Sequence, residues 1–457
     1  MAAPSVTLRN IPEPERDASL TPIPLSDETM QQRMEKVLKG IRARNLDALA
    51  IYADLEHGSN FEYLVGFLPR FEEALLILHN NGRAFLILGN ENLNKAGKAR
   101  LQAEPLHAPI FSLPNQPMRG YFPLTELLAQ TGIADKRVGL VGWKNFQLNP
   151  EAKRHSYDLP SFIVDAFRII CGNDNLENAA DIFIGENGTR TTNNANEIAH
   201  YEFGAALASD CMLDALDALE PGVSEFTVAD KLRRYGQPNN VVTIAAFGER
   251  FIKANMYPTN RKLSRNDTVS LTVGYKGGLS SRAGVAWDEN EERSRTYLER
   301  SFGPYFATIC RYLEVVHCGM VGGELHRFVD TVFPRKDYGW SLCPGHLTAD
   351  EEWMSSPIYE GSNELLRSGM ILQTDIIPSI PGIPGSSIES TFALADENLR
   401  HEIASSYPTL WNRIERRRSY ISKYVGVALN DDVLPLCSTL LYGRPFMLSR
   451  SALVFSR

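Results

Sequence analysis

The sequence predicts two domains of mixed helix and strand, a smaller α/β domain followed by a larger one. Three observations lead there. Short apolar runs alternate with helical stretches from residue 26 to about 175. Beyond that point a unit of helix, glycine turn, shorter helix and strands occurs twice, the pattern of an internally duplicated domain with its site between the halves. A chain of 457 residues, 43% hydrophobic and 22% charged, is also long enough for more than one sizeable core.

Residues 1–25 are rich in proline and charge and read as an extended arm. Ser26 and Asp27 cap a helix whose apolar positions are Met34, Val37, Leu38 and Ile41. LDALAIYA, from Leu46 to Ala53, is continuously apolar and reads as a buried strand. FEYLVGF is expected to be another strand. ALLILHNNGRAFLIL is expected to be a hairpin turning at Asn80, Asn81 and Gly82, and RVGLVGW a further strand. These elements make a first domain of residues 26–178, with a polar linker around Asn173 to Asn187. No GxGxxG or GxxxxGK loop is present, so nothing supports a nucleotide role.

The second domain, residues 179–457, opens with a capping box, Asn194 with Glu197, ahead of a helix that stops at Glu220-Pro221-Gly222. Strands are expected over Val241 to Gly248 and in DTVSLTVGYKGG. The second occurrence of the unit runs through Tyr305, Ile309 and Leu313 to Cys318-Gly319, then through Leu325 and Phe328. Next comes the most informative stretch, Ser341 to Glu389. It holds a Pro344-Gly345-His346 turn, an apolar run ending at Asp375, a Pro/Gly-rich hairpin, and a strand carrying Glu389. If these strands lie side by side, one imidazole and two carboxylates converge, a constellation for metal ligation or acid–base work. The basic run Arg413 to Arg418 reads as a solvated helix face.

Composition narrows the partners. A net charge of −8 and a pI near 5.7 argue against nucleic acid. No apolar run is long enough for a membrane span, and the N-terminus lacks a signal-peptide core. Six cysteines without CxxC spacing read as reduced thiols, which suits the cytoplasm.

Together these features resemble the creatinase/aminopeptidase P/prolidase family. The resemblance is carried by LDALAIYA with YLVGF, NEIAHYEFGAALA with LEPGVSEFTVADKL, and PTNRKLSRNDTVSLTVGYKGG. PGH, LRSGMILQTDIIP and SSIESTFAL extend it, so that it spans nearly the whole chain. It implies a creatinase-type α/β N-terminal domain, an α+β pita-bread C-terminal domain, and a homodimer. The family's metallopeptidases hold two divalent metals with two Asp, one His and two Glu, a hard donor set that activates a bridging water.

Placed on this chain, the resemblance puts Thr272 and Ser281 or Arg282 where the two Asp ligands belong. His346 matches the His, and Asp375 and Glu389 match the two Glu. Two auxiliary histidines are replaced around Met256 and Met354. The two-metal site is therefore expected to be lost, with no cofactor. His346, Asp375 and Glu389 are the expected catalytic residues. Arg282 is expected to replace the metal's charge by pairing with Asp375 or Glu389, and to hold a substrate carboxylate. Arg70, in GFLPRFEE, is a second candidate for that carboxylate, and Trp353 and Tyr359 are candidates to line a pocket, although aromatics at such positions are more often core. The expected function is a creatinase-like, metal-independent hydrolase cleaving a C–N bond of a small carboxylated amine or amide. Two alternatives stay open: a non-catalytic protein binding a small molecule or a partner, and a metal-dependent aminopeptidase or dipeptidase with a rearranged site.

Overall fold

A computed structural model describes residues 5–17, 20–116, 123–249, 252–255 and 257–456. The chain forms two compact units, Leu25–Thr191 and Met1–Pro24 with Thr192–Arg457.

The unit Leu25–Thr191 is built on a six-stranded sheet. Its strands lie in the order Glu104–His107, Ala84–Leu88, Ala74–His79, Ala48–Ala53, Val138–Val141 and Leu176–Asn178. Ala48–Ala53 is buried at every residue, as its unbroken apolar run requires, because helices cover the sheet. The helix Asp27–Ala43 begins where the cap was expected, with the Ser26 side chain accepting from Thr29 N. Two expectations fail in this unit. FEYLVGF is not a strand: Ser59–Val65 is a helix, closed by Gly66 in the left-handed region at φ 85°. A short apolar run has no period of its own, and the glycine stop decides it. The polar segment read as a linker carries the last strand of the sheet, Leu176–Asn178, which runs parallel to Val138–Val141. A three-residue strand with one aliphatic side chain leaves no alternation to read.

In the larger unit the duplication is visible in the hydrogen bonding. The helix Ala195–Asp217, with its capping box at Asn194 and Glu197, turns at Gly222 into Glu225–Ala229. The helix Gly303–Val315 turns at Gly319 into Gly322–Val332. Both glycines are left-handed, at φ 93° and 90°. Gly222 N donates to Leu263 O at 2.8 Å and Gly319 N donates to Leu366 O at 2.7 Å. The return bonds match as well, Leu263 N to Val223 O at 2.9 Å and Leu366 N to Met320 O at 2.8 Å. Each helix pair leads into an antiparallel sheet. The first holds Ile244–Phe247, Thr268–Tyr275 and Gly278–Val285; the second holds Gly345–Leu347, Ile371–Thr374, Thr391–Leu394 and Val433–Pro435.

The helix Ala195–Asp217 is buried on nearly all sides, which only a helix through the middle of a unit can be. Its Leu207, Cys211 and Met212 share one core with Leu271, Val273 and Tyr275 of the hairpin. At Gly204 the hairpin turn crosses so closely that a Cβ would lie 1.9 Å from Lys276 O, so no other residue fits.

The N-terminal arm is part of this unit. Ser5–Asn10 pairs antiparallel with Ser451–Ser456. Asp17 lies beneath the basic run, which is not the solvated face it resembles. Arg417 Nη2 donates to Asp17 at 2.5 Å and to Glu202 at 2.7 Å, all three residues are buried, and Arg413 donates to Glu202 at 2.9 and 2.7 Å. Periodicity reports which side of a helix is polar, not that a buried carboxylate waits beneath it.

The backbone N of Asp17 donates to both carboxylate oxygens of Asp210 at 3.1 Å. Burial nevertheless pushes the Asp210 carboxyl up to about 6, past the opposing help of that N–H and of Arg234 and Arg417. An acid whose pKa is higher folded than unfolded gives stability that is full below its ordinary value and falls away as pH rises through the folded one. Between about pH 4 and pH 7 wild type should therefore lose on the order of 1–3 kcal/mol relative to Asp210→Asn. Urea denaturation of both proteins across that range checks this, and parallel pH curves would contradict it.

Candidate functional site

The three expected catalytic residues do converge, and strand register is the reason. His346, in Gly345–Leu347, lies opposite Gln373, and Gln373 lies opposite Thr391. Asp375 follows the strand Ile371–Thr374 directly, and Glu389 stands two residues before Thr391–Leu394. Thr374 N donates to Ser390 O at 3.2 Å, which sets the two acids side by side.

His346 is fully buried, and its Nδ1 faces the Leu347 carbonyl at 3.3 Å. Its Nε2 stands 3.4 Å from Glu352 Oε1 and 3.8 Å from Asp375 Oδ2 and makes no hydrogen bond. Asp375 Oδ1 is also buried without a partner. Burial raises the Asp375 carboxyl; the nearby imidazole opposes the shift and Glu352 adds to it. Glu389 Oε1 accepts from Ser387 Oγ at 2.8 Å. Burial, with Asp375 close by, pushes Glu389 up to about 8.

Glu352 is the residue that sequence reading missed. Leu347 N donates to Ser355 O at 2.7 Å and Met354 N donates to Leu347 O at 3.0 Å, so the segment after His346 folds back on its strand and brings Glu352 to the imidazole. The signal in the sequence is the Glu351-Glu352 pair, which stands just before Met354, where the family resemblance puts a histidine. Trp353 is not core: its indole is half exposed and lies 5.5 Å from the His346 ring, and Tyr359 is exposed too. The position around Met256 lies outside the described residues.

Thr272 and Ser281 are direct cross-strand partners, with hydroxyls 2.9 Å apart. Ser281 N donates to Glu389 O at 3.2 Å, which puts this pair beside the second acid. Arg282 does not make the carboxylate pair expected of it. Its guanidinium donates to Ser281 O at 2.7 Å, Glu389 O at 2.8 Å, Thr439 O at 2.6 Å and Ser390 Oγ at 3.1 Å. Successive strand residues face opposite ways, so Arg282 points away from the face of Ser281. Burial lowers it to about 10, with Cys437, Tyr305 and Glu389 opposing that shift. Arg70 belongs to the other unit. It is exposed, its backbone N donates to Asn92 Oδ1 at 2.9 Å, and its guanidinium lies 5.5 Å from the Phe71 ring.

The fold is of the pita-bread class. No family model and no curated protein sequence matches the chain; the likeness is structural. The Xaa-Pro dipeptidase from Bacillus anthracis aligns with a TM-score of 0.61 at 17% identity, over 81% of this chain and 96% of its own. The prolidase from Pyrococcus horikoshii aligns at 0.61 and 16% identity, over 80% and 95%. The X-Pro aminopeptidase from Thermotoga maritima aligns at 0.60 and 16% identity, over 80% and 95%. The chain has the fold of the creatinase/aminopeptidase P/prolidase family.

These comparisons correct the expectation of a chain without a metal cofactor. The similar folds are those of the dipeptidases and aminopeptidases, the branch to which the family resemblance assigns two divalent metals. The residues here do not reproduce that ligand set. The paired hydroxyls of Thr272 and Ser281 stand where the family resemblance puts the two Asp, and among the described residues no group of three or more His, Cys, Asp or Glu is placed to hold a metal ion.

With four donors committed to backbone carbonyls and Ser390, Arg282 ties the hairpin to Glu389 and to Thr439. Arg282→Ala should cost on the order of 3–5 kcal/mol, because it strands three buried carbonyl groups. Arg282→Lys, which cannot span four acceptors, should recover only part of that. Chemical denaturation measures both; near-wild-type stability of Arg282→Ala would show that these bonds hold nothing.

Proposed function

We propose that the chain is a hydrolase of the dipeptidase or aminopeptidase type with a rearranged site, acting on short peptides. One observation carries this reading: His346, Glu352 and Asp375 converge, with polar atoms unpartnered, in the fold of peptidases named for Xaa-Pro substrates. Peptide hydrolysis needs one group to take a proton from water and another to return it to the leaving amine. A buried imidazole between two carboxyl groups can do both. Asp375 and Glu389 orient the imidazole and the ligand, while Arg282 acts through Glu389 as a positioning residue. Arg70 is kept as the candidate for the substrate carboxylate. A homodimer and a cytoplasmic location are proposed on the fold likeness and on six cysteines that are all unpaired. No helix among the described residues is long and apolar enough to cross a membrane.

The cross-strand pair of Thr272 and Ser281 favours a second reading. With uncharged hydroxyls at both Asp positions, the unit suits a non-catalytic protein that binds a small molecule or a partner.

A screen of Xaa-Pro and other dipeptides, with and without added Mn²⁺, Co²⁺ or Zn²⁺, separates the two. The first reading expects turnover that falls roughly 100-fold or more in His346→Ala. Absence of turnover under every condition, or turnover unchanged in His346→Ala, contradicts it.

A further inference from the structure

One edge of the unit Leu25–Thr191 carries more positive charge than its acids balance. The strand Leu176–Asn178 is the edge of the six-stranded sheet, and Glu177 on it is buried. Three guanidinium groups from separate parts of the chain turn to that one carboxylate. Arg44, at the end of the helix Asp27–Ala43, donates to Glu177 Oε1 at 2.8 Å and to Asn178 O at 3.0 Å, and it pairs with Asp181. Arg137, just before Val138–Val141, stands 3.8 Å from Glu177 Oε2, and Arg154 stands 3.5 Å from the same oxygen. Neither of these two contacts is a hydrogen bond, and the two side chains are 44% and 43% exposed, so both forks keep spare donors. Lys153 adds a fourth cation, and its Nζ donates to the neutral Asn145 at 2.7 Å. Other acids close in sequence are engaged elsewhere: Glu151 faces His155, and Asp47 accepts from the backbone N of Arg137. Four cations therefore meet two carboxylates, Glu177 and Asp181, in a chain whose net charge is −8. Arg44, Lys153, Arg154 and Glu177 line an open cleft of about 450 Å³, and exposed Leu148 and Pro150 give it an apolar wall. Tyr157, three residues after Arg154, has a buried hydroxyl without a partner, and Arg154 and Glu177 are among the charges that act on it.

We infer that this cleft binds a phosphoryl group, with Arg137 and Arg154 as its principal donors. A guanidinium presents a planar fork of N–H donors that fits the oxygens of a phosphate two at a time. Two such forks converge here on one point, and the excess of two positive charges matches the roughly −1.5 to −2 of a phosphate monoester at pH 7. A carboxylate brings one charge and two acceptor oxygens, so it leaves half of the charge and of the donors unmatched. The cleft has room for more than the phosphoryl group, and Leu148 and Pro150 offer an organic part an apolar surface. Glu177 gathers the guanidinium groups while the cleft is empty and competes with the ligand for Arg137 and Arg154. The cleft belongs to the unit without His346, so its occupancy does not depend on the hydrolase reading.

Isothermal titration calorimetry on the full chain, at constant ionic strength, tests this with inorganic phosphate, phenyl phosphate and acetate. The phosphate probes should bind, and acetate should bind about tenfold or more weakly than either. Arg137→Gln combined with Arg154→Gln should weaken phosphate binding about tenfold or more. Both side chains are nearly half exposed and Arg44 still pairs Glu177, so this variant folds. Glu177→Gln removes the competing carboxylate and should tighten phosphate binding about threefold or more, opposite in sign to a loss of structure. Circular dichroism of each variant confirms folding before titration. Tighter binding of phenyl phosphate than of phosphate assigns the cleft to an organic monoester, and equal affinity assigns it to the free ion; both outcomes support a phosphoryl site. No binding of either phosphate probe, acetate bound as tightly as phosphate, affinity unchanged in the double arginine variant, or weaker binding in folded Glu177→Gln overturns it.

Discussion

Antiparallel register holds this site together. His346 lies opposite Gln373, Gln373 lies opposite Thr391, and the acids stand just beyond the paired residues of their own strands. Gln373 reinforces the arrangement by donating to Leu279 O at 3.2 Å, across to the hairpin of the other half. The hairpin answers with Ser281 N on Glu389 O and a bridge from Ala283 to Ser387. A slip of one residue anywhere in this ladder would turn the imidazole or a carboxyl group to the opposite face. The polar groups of the site carry little of that burden, since two of them lack partners; backbone pairing and the apolar core behind it supply the rigidity.

The parts of the fold legible in the sequence were those with a strong local signature. The capping box at Asn194, the Asn-Asn-Gly turn and the repeated glycine stop at Gly222 and Gly319 each state a backbone requirement that few residue types meet. His346, Asp375 and Glu389 were legible because their spacing could be compared with known motifs. What was not legible depends on contacts distant in sequence. The strand Leu176–Asn178 exists because a sheet edge is there to receive it. The basic run looks solvated until Asp17 and Glu202 are set beneath it. Glu352 needed the fold-back against Leu347, and Arg282 needed the carbonyls of Glu389 and Thr439, which no local pattern announces.

Fold and ligand chemistry point in different directions in this chain. The fold is shared with Xaa-Pro peptidases, yet where the family resemblance puts two carboxylates stand Thr272 and Ser281, with hydroxyls bonded to one another. Burial raises Asp375 and Glu389 above the usual carboxylate range, against the opposing influence of His346 on the first and of Arg282 on the second.

A crystal structure of the protein with a Xaa-Pro dipeptide tests the account most directly. It should place the scissile amide against His346, Glu352 and Asp375, with the hydroxyls of Thr272 and Ser281 still paired. A dipeptide bound elsewhere, or His346 remote from both acids, would contradict the account.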